Sequence, residues 1–489
     1  MTSAASGPPP GPAGHRDLQD CERALVAAAA RYGREPGEEV VRACIAVLES
    51  LDALGPAANG DANADSLRVR TLRVLLSASE LWWRSGDGDG NGTIGIEPWP
   101  AVPLHTLVTQ AEEAAARTAD RALRASARHM AGQHLVVTHS LDAALTALSE
   151  AVELARAAGD TFTELEALTD LGHCTVGRDM KLGVGMLERA ETLASRPPSA
   201  FLHPEQAELL PMTLARLTGH IGVAAFDRGA FDTAESRLRD SLHRLSPGNT
   251  PGPYAKMTNF LGQLLTAAGR FEEAEVLLTE AVGRIALRAT ASTHQGYNLG
   301  LLGKLYLEWD CPDQAAPPLL AGWEHLRAAP HVSLLPLLRN YLGELLMHPS
   351  YACRDVTRAC DLFTETVEEC RRTGFQRSEI AALMLGARGA LQLGDPQSAL
   401  ALSERAVERL AEAGEMPALR SEEVYFTRYE ILLSAGRQEH AAPWLDRARA
   451  VLRAKGRTIA DPAARNAFYT RVPTSRSILA ASGQRGDTP

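Results

Sequence analysis

Residues 261–281 read LGQLLTAAGRFEEAEVLLTEA, and the spacing of their small and apolar side chains decides the fold. The positions that matter lie at offsets 0, 3, 7, 12, 16 and 19 and are Gly262, Leu265, Gly269, Ala274, Leu278 and Ala281. The same offsets recur forty residues earlier, starting at Gly222, and forty-one residues later, starting at Gly303. A pattern that returns at this period is the signature of a repeat array.

Each copy of the pattern predicts two antiparallel helices. Small residues at offsets 0 and 12 let the helices approach closely, and the glycine at offset 7 ends the first helix in a left-handed cap. One pair cannot bury its apolar face alone, so neighbouring pairs must stack. Eight copies between Ser126 and Leu452 predict at least sixteen helices in an all-α, right-handed α-solenoid without a β-sheet.

A Leu-Gly pair opens three successive copies: Leu261-Gly262, Leu302-Gly303 and Leu342-Gly343. These copies resemble tetratricopeptide repeats, although the standard repeat has a shorter period of about 34 residues. Copies of the longer period resemble those of bacterial sensor-regulators and peptide-pheromone receptors. Residues 457–473 resemble the segment that closes the repeat sensor half of actinobacterial ATPase regulators, and the alternative is a capping helix that starts at Asp461.

The chain divides into four expected segments. We expect a disordered tail at residues 1–16, an N-terminal helical region at 17–120, a tetratricopeptide-like solenoid at 121–455, and a C-terminal cap and tail at 456–489. A Gly/Asp-rich insertion at 85–100 interrupts the N-terminal region. This region is predicted to cap the array. A helix-turn-helix DNA reader is the alternative, but its basic recognition helix is absent from the sequence.

Composition and charge narrow the classes of partner. The 489 residues carry a net charge of −10, which disfavours direct nucleic-acid or membrane binding. Seven cysteines, an odd number, do not suggest a disulfide framework, and no run of eighteen apolar residues predicts a membrane span. We therefore expect a cytoplasmic protein with a protein or peptide partner, and homodimerisation stays open.

No cofactor or metal is predicted. The first ligand positions of an EF-hand loop are matched by Asp87, Asp89 and Asn91. The position of the bidentate glutamate of that loop, however, is occupied by Pro98. The histidines and cysteines that lie near each other in sequence lack the spacing of zinc ligands; they are His129, His134 and His139, and Cys353, Cys360 and Cys370. The sequence also lacks a recognisable catalytic motif.

The first helices of tetratricopeptide repeats line the concave face of the array. Because offsets 0 and 3 are committed to packing, residues at offsets −6, −3, +1 and +4 should point into the groove. Applied to four successive copies, this rule selects Lys256, Asn259, Gln263, Lys304, Asn340, Glu344 and Arg388 as ligand-binding residues. Amides suit a peptide backbone, because they donate and accept hydrogen bonds at once, and the cations suit carboxylates.

Two classes of function remain from the sequence. The first is a non-catalytic scaffold with a sensor or regulatory role that binds a protein or peptide in its concave groove. The second is a divergent enzyme that uses the solenoid to position an unrecognised acid-base pair. The first is favoured because binding needs only a surface. Titratable residues with perturbed pKa values clustered in one deep pocket would favour the second.

Overall fold

The computed structural model describes residues 12–55, 61–79, 93–96, 99–138, 140–197, 201–286, 293–328, 331–414 and 420–483. Within these ranges the chain forms twenty-two helices and one antiparallel β-hairpin. The N-terminal elements are α1 (Pro12–Arg31), α2 (Gly37–Ala53), α3 (Ala62–Ser79), β1 (Thr93–Ile96), β2 (Trp99–Pro103) and α4 (Leu104–Arg117).

Sixteen helices then follow as eight consecutive pairs, which confirms the predicted solenoid. The first four pairs are α5 (Arg121–Thr138) with α6 (Leu141–Ala158), α7 (Thr161–Val176) with α8 (Met180–Ala194), α9 (Pro204–Asp227) with α10 (Phe231–Arg244), and α11 (Pro251–Ala267) with α12 (Phe271–Ala286). The other four are α13 (Thr293–Glu308) with α14 (Pro312–Ala328), α15 (Leu334–Met347) with α16 (Val356–Thr373), α17 (Gln376–Gln392) with α18 (Pro396–Ala413), and α19 (Ser421–Ser434) with α20 (Gln438–Arg457). The short helices α21 (Pro462–Thr470) and α22 (Pro473–Gly483) complete the described chain.

The repeat offsets act as the sequence predicts. The residues at offset 7 end the first helix of a pair in the left-handed conformation: φ is 72° at Gly229, 74° at Gly269, 77° at Gly394 and 73° at Gly436. Asp310 takes the same conformation, with φ of 62°, in the copy that lacks the glycine. The left-handed cap is therefore kept even where a side chain must be accommodated.

The small residue at offset 0 is required by the approach of the paired helix. A Cβ atom on Gly262 would lie 2.6 Å from Leu278 Cδ2, which is too close for real carbon atoms. We expect Gly262→Ala to lower the free energy of unfolding by about 1–3 kcal/mol through overpacking. Gly185→Ala is the matched control, because Gly185 is exposed within α8 with nothing within 4 Å of its Cβ position. It should raise stability by roughly 0.5–1 kcal/mol in urea denaturation, and equal effects at both sites would contradict this assignment.

The curvature of the solenoid brings helix pairs that are distant in sequence into contact. Arg377, at the start of α17, donates from Nη2 to Asp227 Oδ2 at the end of α9, over 2.6 Å. The C-terminal segment docks on α10 and α12: Thr458 Oγ1 donates to the Gly229 carbonyl at 2.8 Å, and Arg471 pairs with Glu272 at 2.7 Å. Together these contacts join parts of the array that are far apart in sequence. We call them the closure contacts.

The N-terminal helices are tied to the solenoid by buried ion pairs. Arg70 on α3 donates from Nε and Nη2 to the two carboxylate oxygens of Glu205 on α9, at 2.7 and 2.6 Å. Arg73, one turn further along α3, pairs with Glu166 on α7. The apolar faces of α1 to α4 form one core with parts of α5, α7 and α9. This region therefore continues the helical packing of the array.

Two local features differ from what the sequence predicts, and a third agrees with it. Helix α1 begins at Pro12, inside the segment expected to be a tail. The hairpin β1–β2, in and just after the predicted insertion, adds two paired strands where none was expected. Asp461 caps α21, accepting from the Ala464 N–H at 2.8 Å, as expected of a capping helix.

Helix α9 alone, among the described helices, is long and apolar enough to pass a test for membrane spans. In the fold, however, 67% of its apolar window is buried inside the protein. It also carries Glu205 and Arg216, both of which are ion-paired with neighbouring helices. Its hydrophobic character is therefore accounted for by its place in the protein core.

Candidate functional site

The concave side contains a cavity of about 350 Å³, which we call the main cavity. Its walls come mainly from α7, α9 and α11, with the starts of α15 and α17 closing the far side. The polar lining includes Glu166, Asp170, His173, Arg216, His220, Asp227, Lys256, Asn259 and Arg377. The apolar lining includes Leu209, Met212, Val223, Met257, Phe260 and Leu337. Mixed lining of this kind is typical of sites that bind small ligands.

Asn259 on α11 is the most unusual polar residue of this lining. Its side chain is fully buried, with 0% exposure, and neither Oδ1 nor Nδ2 has a hydrogen-bond partner. Gln263, one turn further along, donates to the Tyr297 hydroxyl at 2.9 Å. A buried amide without partners costs free energy, which makes Asn259 a candidate for binding a ligand in the cavity.

An ion-pair network forms one wall of the main cavity. Asp170 accepts hydrogen bonds from His129 Nε2 at 2.8 Å, from Gln133 Nε2 at 2.7 Å, and from Arg216. Burial alone would raise the pKa of the Asp170 carboxyl, but Arg216 and His129 outweigh it and hold this pKa well below its ordinary value. The Asp170 carboxylate is therefore charged, and both of its oxygens accept hydrogen bonds within the protein.

Neutral imidazoles lie beside this network. The rings of His173 and His220 stack with centroids 4.1 Å apart and an interplanar angle of 12°. Burial, followed by the charge of Lys256, lowers both of their pKa values well below the usual range. His331 accepts from the Ser333 N–H through Nδ1, so its Nε2 carries the hydrogen and is a buried donor without a partner.

A smaller cavity of about 120 Å³ continues from the main one. The two share Gln263, Leu337, Arg377 and Ser378 in their walls. In this second cavity Lys304 Nζ is 2.7 Å from carboxylate oxygens of both Glu308 and Glu344. Asn340 donates from Nδ2 to the Ser378 carbonyl at 3.0 Å, whereas its Oδ1 has no partner.

The structure divides the seven residues predicted from the offsets. Lys256, Asn259 and Gln263 line the main cavity. Gln263, Lys304, Asn340 and Glu344 line the second cavity. Arg388 lines neither and pairs with Glu423 at 3.0 Å. The charges of Lys304 and Arg388 are thus already balanced within the protein. Of the seven predicted residues, Asn259 and Lys256 therefore remain the strongest candidates for ligand binding.

Several lining residues were not selected from the sequence, although the same rule reaches some of them. Offsets −6 and +1 from Gly172 give Glu166 and His173, and offset −6 from Gly222 gives Arg216. Asp227 and Arg377 carried no such signal, because their pairing depends on the curvature of the whole array.

The metal hypotheses have different outcomes. The Asp87 loop and His139 lie outside the described residues. His129 is engaged by Asp170. In the part of the chain that the structure describes, no cluster of three or more His, Cys, Asp or Glu residues could hold a metal ion. All seven cysteines are free thiols.

Comparison with known proteins found no matching family model and no matching curated protein. Among solved structures, a Rap protein complexed with competence and sporulation factor is 11% identical over 74% of this chain and 99% of that chain, with a TM-score of 0.49. The apo quorum sensor NprR from B. thuringiensis is 13% identical over 71% and 93% of the two chains, with a TM-score of 0.47. A signal-transduction ATPase of the STAND class with a tetratricopeptide repeat sensor, from Pyrococcus horikoshii, is 12% identical over 93% and 70%, with a TM-score of 0.38.

Proposed function

We propose that this protein is a non-catalytic, peptide-binding regulator whose ligand lies in the main cavity. The observation that carries the proposal is the fully buried amide of Asn259, with both polar atoms unpartnered at the cavity wall. A side-chain amide matches a peptide group, because each presents an N–H donor and a carbonyl acceptor in the same plane. A bound peptide backbone would satisfy both atoms of Asn259 at once.

The geometry of α11 supports a short peptide. Lys256, Asn259 and Gln263 lie at helical spacing along the same wall. Seven residues of helix span about 10 Å, which equals the length of roughly three residues of extended chain. Lys256 at one end offers a cation, and Asp227 Oδ1 is a buried acceptor without a partner. A short peptide with a carboxylate and a donor group therefore fits this lining.

The closure contacts supply the regulatory element of the proposal. Arg377 lies in the walls of both cavities and also bridges α17 to α9 through Asp227. A ligand that hydrogen-bonds Asp227 would change the strength of this bridge and hence the curvature of the array. A protein partner on the outer surface would sense the change. A cytoplasmic location is part of the same proposal, since seven free thiols suit a reducing compartment.

The enzymatic alternative is favoured by one observation, the clustering of groups with shifted pKa values around the main cavity. Asp170, His173, His220 and Lys256 all belong to it. However, Asp170 is committed to Arg216 and His129, so it is not available as a base. The arrangement of the described residues around the cavity therefore fits an ion-pair network better than an acid-base pair.

Asn259→Ala should weaken peptide binding without harming the fold. Fluorescence polarisation with a labelled library of random synthetic tripeptides to hexapeptides would find ligands, and calorimetry would measure their affinity. We expect about a tenfold to hundredfold loss of affinity, since each hydrogen bond to a desolvated group contributes about 1–3 kcal/mol. Thermal stability should stay the same or rise, because the substitution removes an unpartnered buried amide.

Asn298→Ala is the matched control for this experiment. Asn298 on α13 is equally buried, and its amide atoms also lack partners, but it lines neither cavity. Its replacement should leave affinity unchanged. Asn340→Ala is less suitable, because it also removes the bond to Ser378 between α15 and α17. Unchanged affinity in Asn259→Ala, or a library without a single binder, would count against the peptide site.

A further inference from the structure

The lining of the main cavity contains several buried polar atoms that lack a hydrogen-bond partner. Among the described residues of this lining, these atoms are His220 Nδ1, Asp227 Oδ1, both amide atoms of Asn259, His331 Nε2 and Gln376 Oε1. A ligand that supplies the missing partner gains binding energy at such a position. His331 is the most informative of these residues, because its own contacts determine which ring nitrogen carries the hydrogen.

Backbone contacts at the start of α15 fix the ring of His331. Its Nδ1 accepts from the Ser333 N–H, and its carbonyl accepts from the N–H groups of Leu334 and Leu335 at 3.1 and 3.0 Å. Because Nδ1 is an acceptor, the ring hydrogen is on Nε2. Burial, followed by the charge of Lys256, lowers the pKa of His331 to about 4, so the ring is neutral near pH 7. With 6% exposure, His331 therefore presents one buried N–H donor to the main cavity.

Two helix N-termini reach the main cavity on the side of His331. Ser333 and Leu334 line the cavity at the start of α15, and residues 375–377 line it at the start of α17. Neither helix has a side-chain hydrogen bond that caps its first turn. The dipole and the first N–H groups of a helix favour a negatively charged group at this end. An anion beside His331 would therefore be stabilised by the fold as well as by the ring.

The charges around the main cavity also suit an anion. Each carboxylate of the lining is paired with an arginine: Glu166 with Arg73, Asp170 with Arg216, and Asp227 with Arg377. Lys256 adds a fourth cation to the wall, and its effect on the pKa of His331 shows that the two residues are neighbours. These groups together carry one positive charge in excess. A single excess charge matches a carboxylate better than a doubly charged phosphate.

We propose that the Nε2–H of His331, with the first turns of α15 and α17, binds a carboxylate of the ligand, and that this carboxylate is the free C-terminus of the bound peptide. The assignment to a peptide C-terminus rests on the peptide-binding function proposed above, whereas the carboxylate site does not. Leu334 and Leu337 line the same side of the cavity and suit an apolar last side chain. Asn259 then meets a peptide group that precedes the terminus.

Three small probes test the carboxylate site without a known peptide. N-acetyl-leucine has a peptide group and a terminal carboxylate, and N-acetyl-leucinamide replaces that carboxylate with a neutral amide. The α-amide of N-acetyl-aspartate has a carboxylate only on its side chain. Calorimetry measures their affinities, and NMR of isotope-labelled histidine follows the His331 Nε2 resonance. We expect N-acetyl-leucine to bind about tenfold to a hundredfold more tightly than its amide and to shift this resonance, because hydrogen bonds to charged groups are the stronger ones.

Three variants complete the test. His331→Phe keeps an aromatic ring without the Nε2 donor, so it should bind the acid and the amide equally. His331→Gln retains a side-chain N–H and should keep part of the preference. His348→Phe is the matched control: His348, at the other end of α15, also accepts through Nδ1 from the N–H two residues later, that of Ser350, but lines neither cavity. It should keep the full preference. Circular dichroism checks the fold of each variant, and the NMR signal of the wild type tests the site even if His331→Phe does not fold.

The outcomes separate this proposal from the peptide proposal. Equal affinity for the acid and the amide, no detectable binding of either, or an unchanged His331 resonance would overturn the carboxylate site. Tighter binding of the aspartate probe than of N-acetyl-leucine would overturn the assignment to a C-terminus. Peptides found in the fluorescence screen should bind more tightly as free acids than as C-terminal amides. A screen without binders counts against the peptide proposal, while the small probes still decide the carboxylate site.

Discussion

Replacing Glu166 with alanine should lower the free energy of unfolding by about 3–5 kcal/mol, because it leaves buried arginine charge without its partner. Glu166 is 4% exposed and accepts from Arg73 Nε at 3.1 Å and from Thr213 Oγ1 at 3.0 Å. Burial raises the pKa of this carboxyl, but Arg73, His129 and Arg216 together lower it below the usual value. The carboxylate is therefore charged in the folded protein.

Urea denaturation would measure this loss. Asp240→Ala is the control, because its pair with Arg244 lies on the surface of α10, with about half of each side chain exposed. Such a pair contributes about 0–1 kcal/mol. The double variant Arg73→Met, Glu166→Met should recover much of the lost stability, since it removes both charges. Equal losses for Glu166→Ala and Asp240→Ala would show that the buried network is not a stability element.

Mild acid should also destabilise the protein strongly. His173, His220 and His331 have pKa values lowered by burial, that of His331 to about 4. Between these values and the unfolded pKa of about 6.5, the unfolded state binds more protons. The stability that these histidines contribute is therefore complete above pH 6.5 and falls as the pH decreases below it. Each histidine should contribute a loss on the order of 1 kcal/mol by pH 5.5.

Urea denaturation at pH 7.5 and pH 5.5 would measure this effect. Asp227 acts in the opposite direction, because burial raises its pKa despite the bridge to Arg377, so folding promotes its protonation. The double variant His173→Phe, His220→Phe keeps two stacked rings but cannot titrate. We expect it to lose a large part of the acid effect. If the double variant loses as much stability in acid as the wild type, groups other than His173 and His220 cause the loss.

The sequence predicted the features that local spacing determines. The offsets around Gly262 specified the helix pairs, and the left-handed turns at Gly229 and Gly269 followed from the same pattern. Asp310 kept the turn without a glycine, so packing between the helices enforces it. Steric requirements of this kind repeat in each copy and can be read from one copy alone.

The candidate site was predictable only in part. Asn259 and Lys256 point into the cavity as their offsets require. The neutralisation of Lys304 by Glu308 and Glu344 could not be anticipated, because it depends on which carboxylates meet between helices. The bridge between Asp227 and Arg377 joins residues 150 positions apart, and only the cumulative curvature of the pairs brings them together.

The docking of Thr458 and Arg471 on α10 and α12 changes how this solenoid is expected to unfold. In an open array each repeat touches only its neighbours, so the ends can fray while the middle stays folded. Here the end of the last pair and the segment after it are anchored to the third and fourth pairs by contacts more than 190 residues apart in sequence. Such contacts raise the contact order, which slows folding, and they couple the melting of one end to that of the centre. The array should therefore unfold in one cooperative transition instead of losing its terminal repeats first.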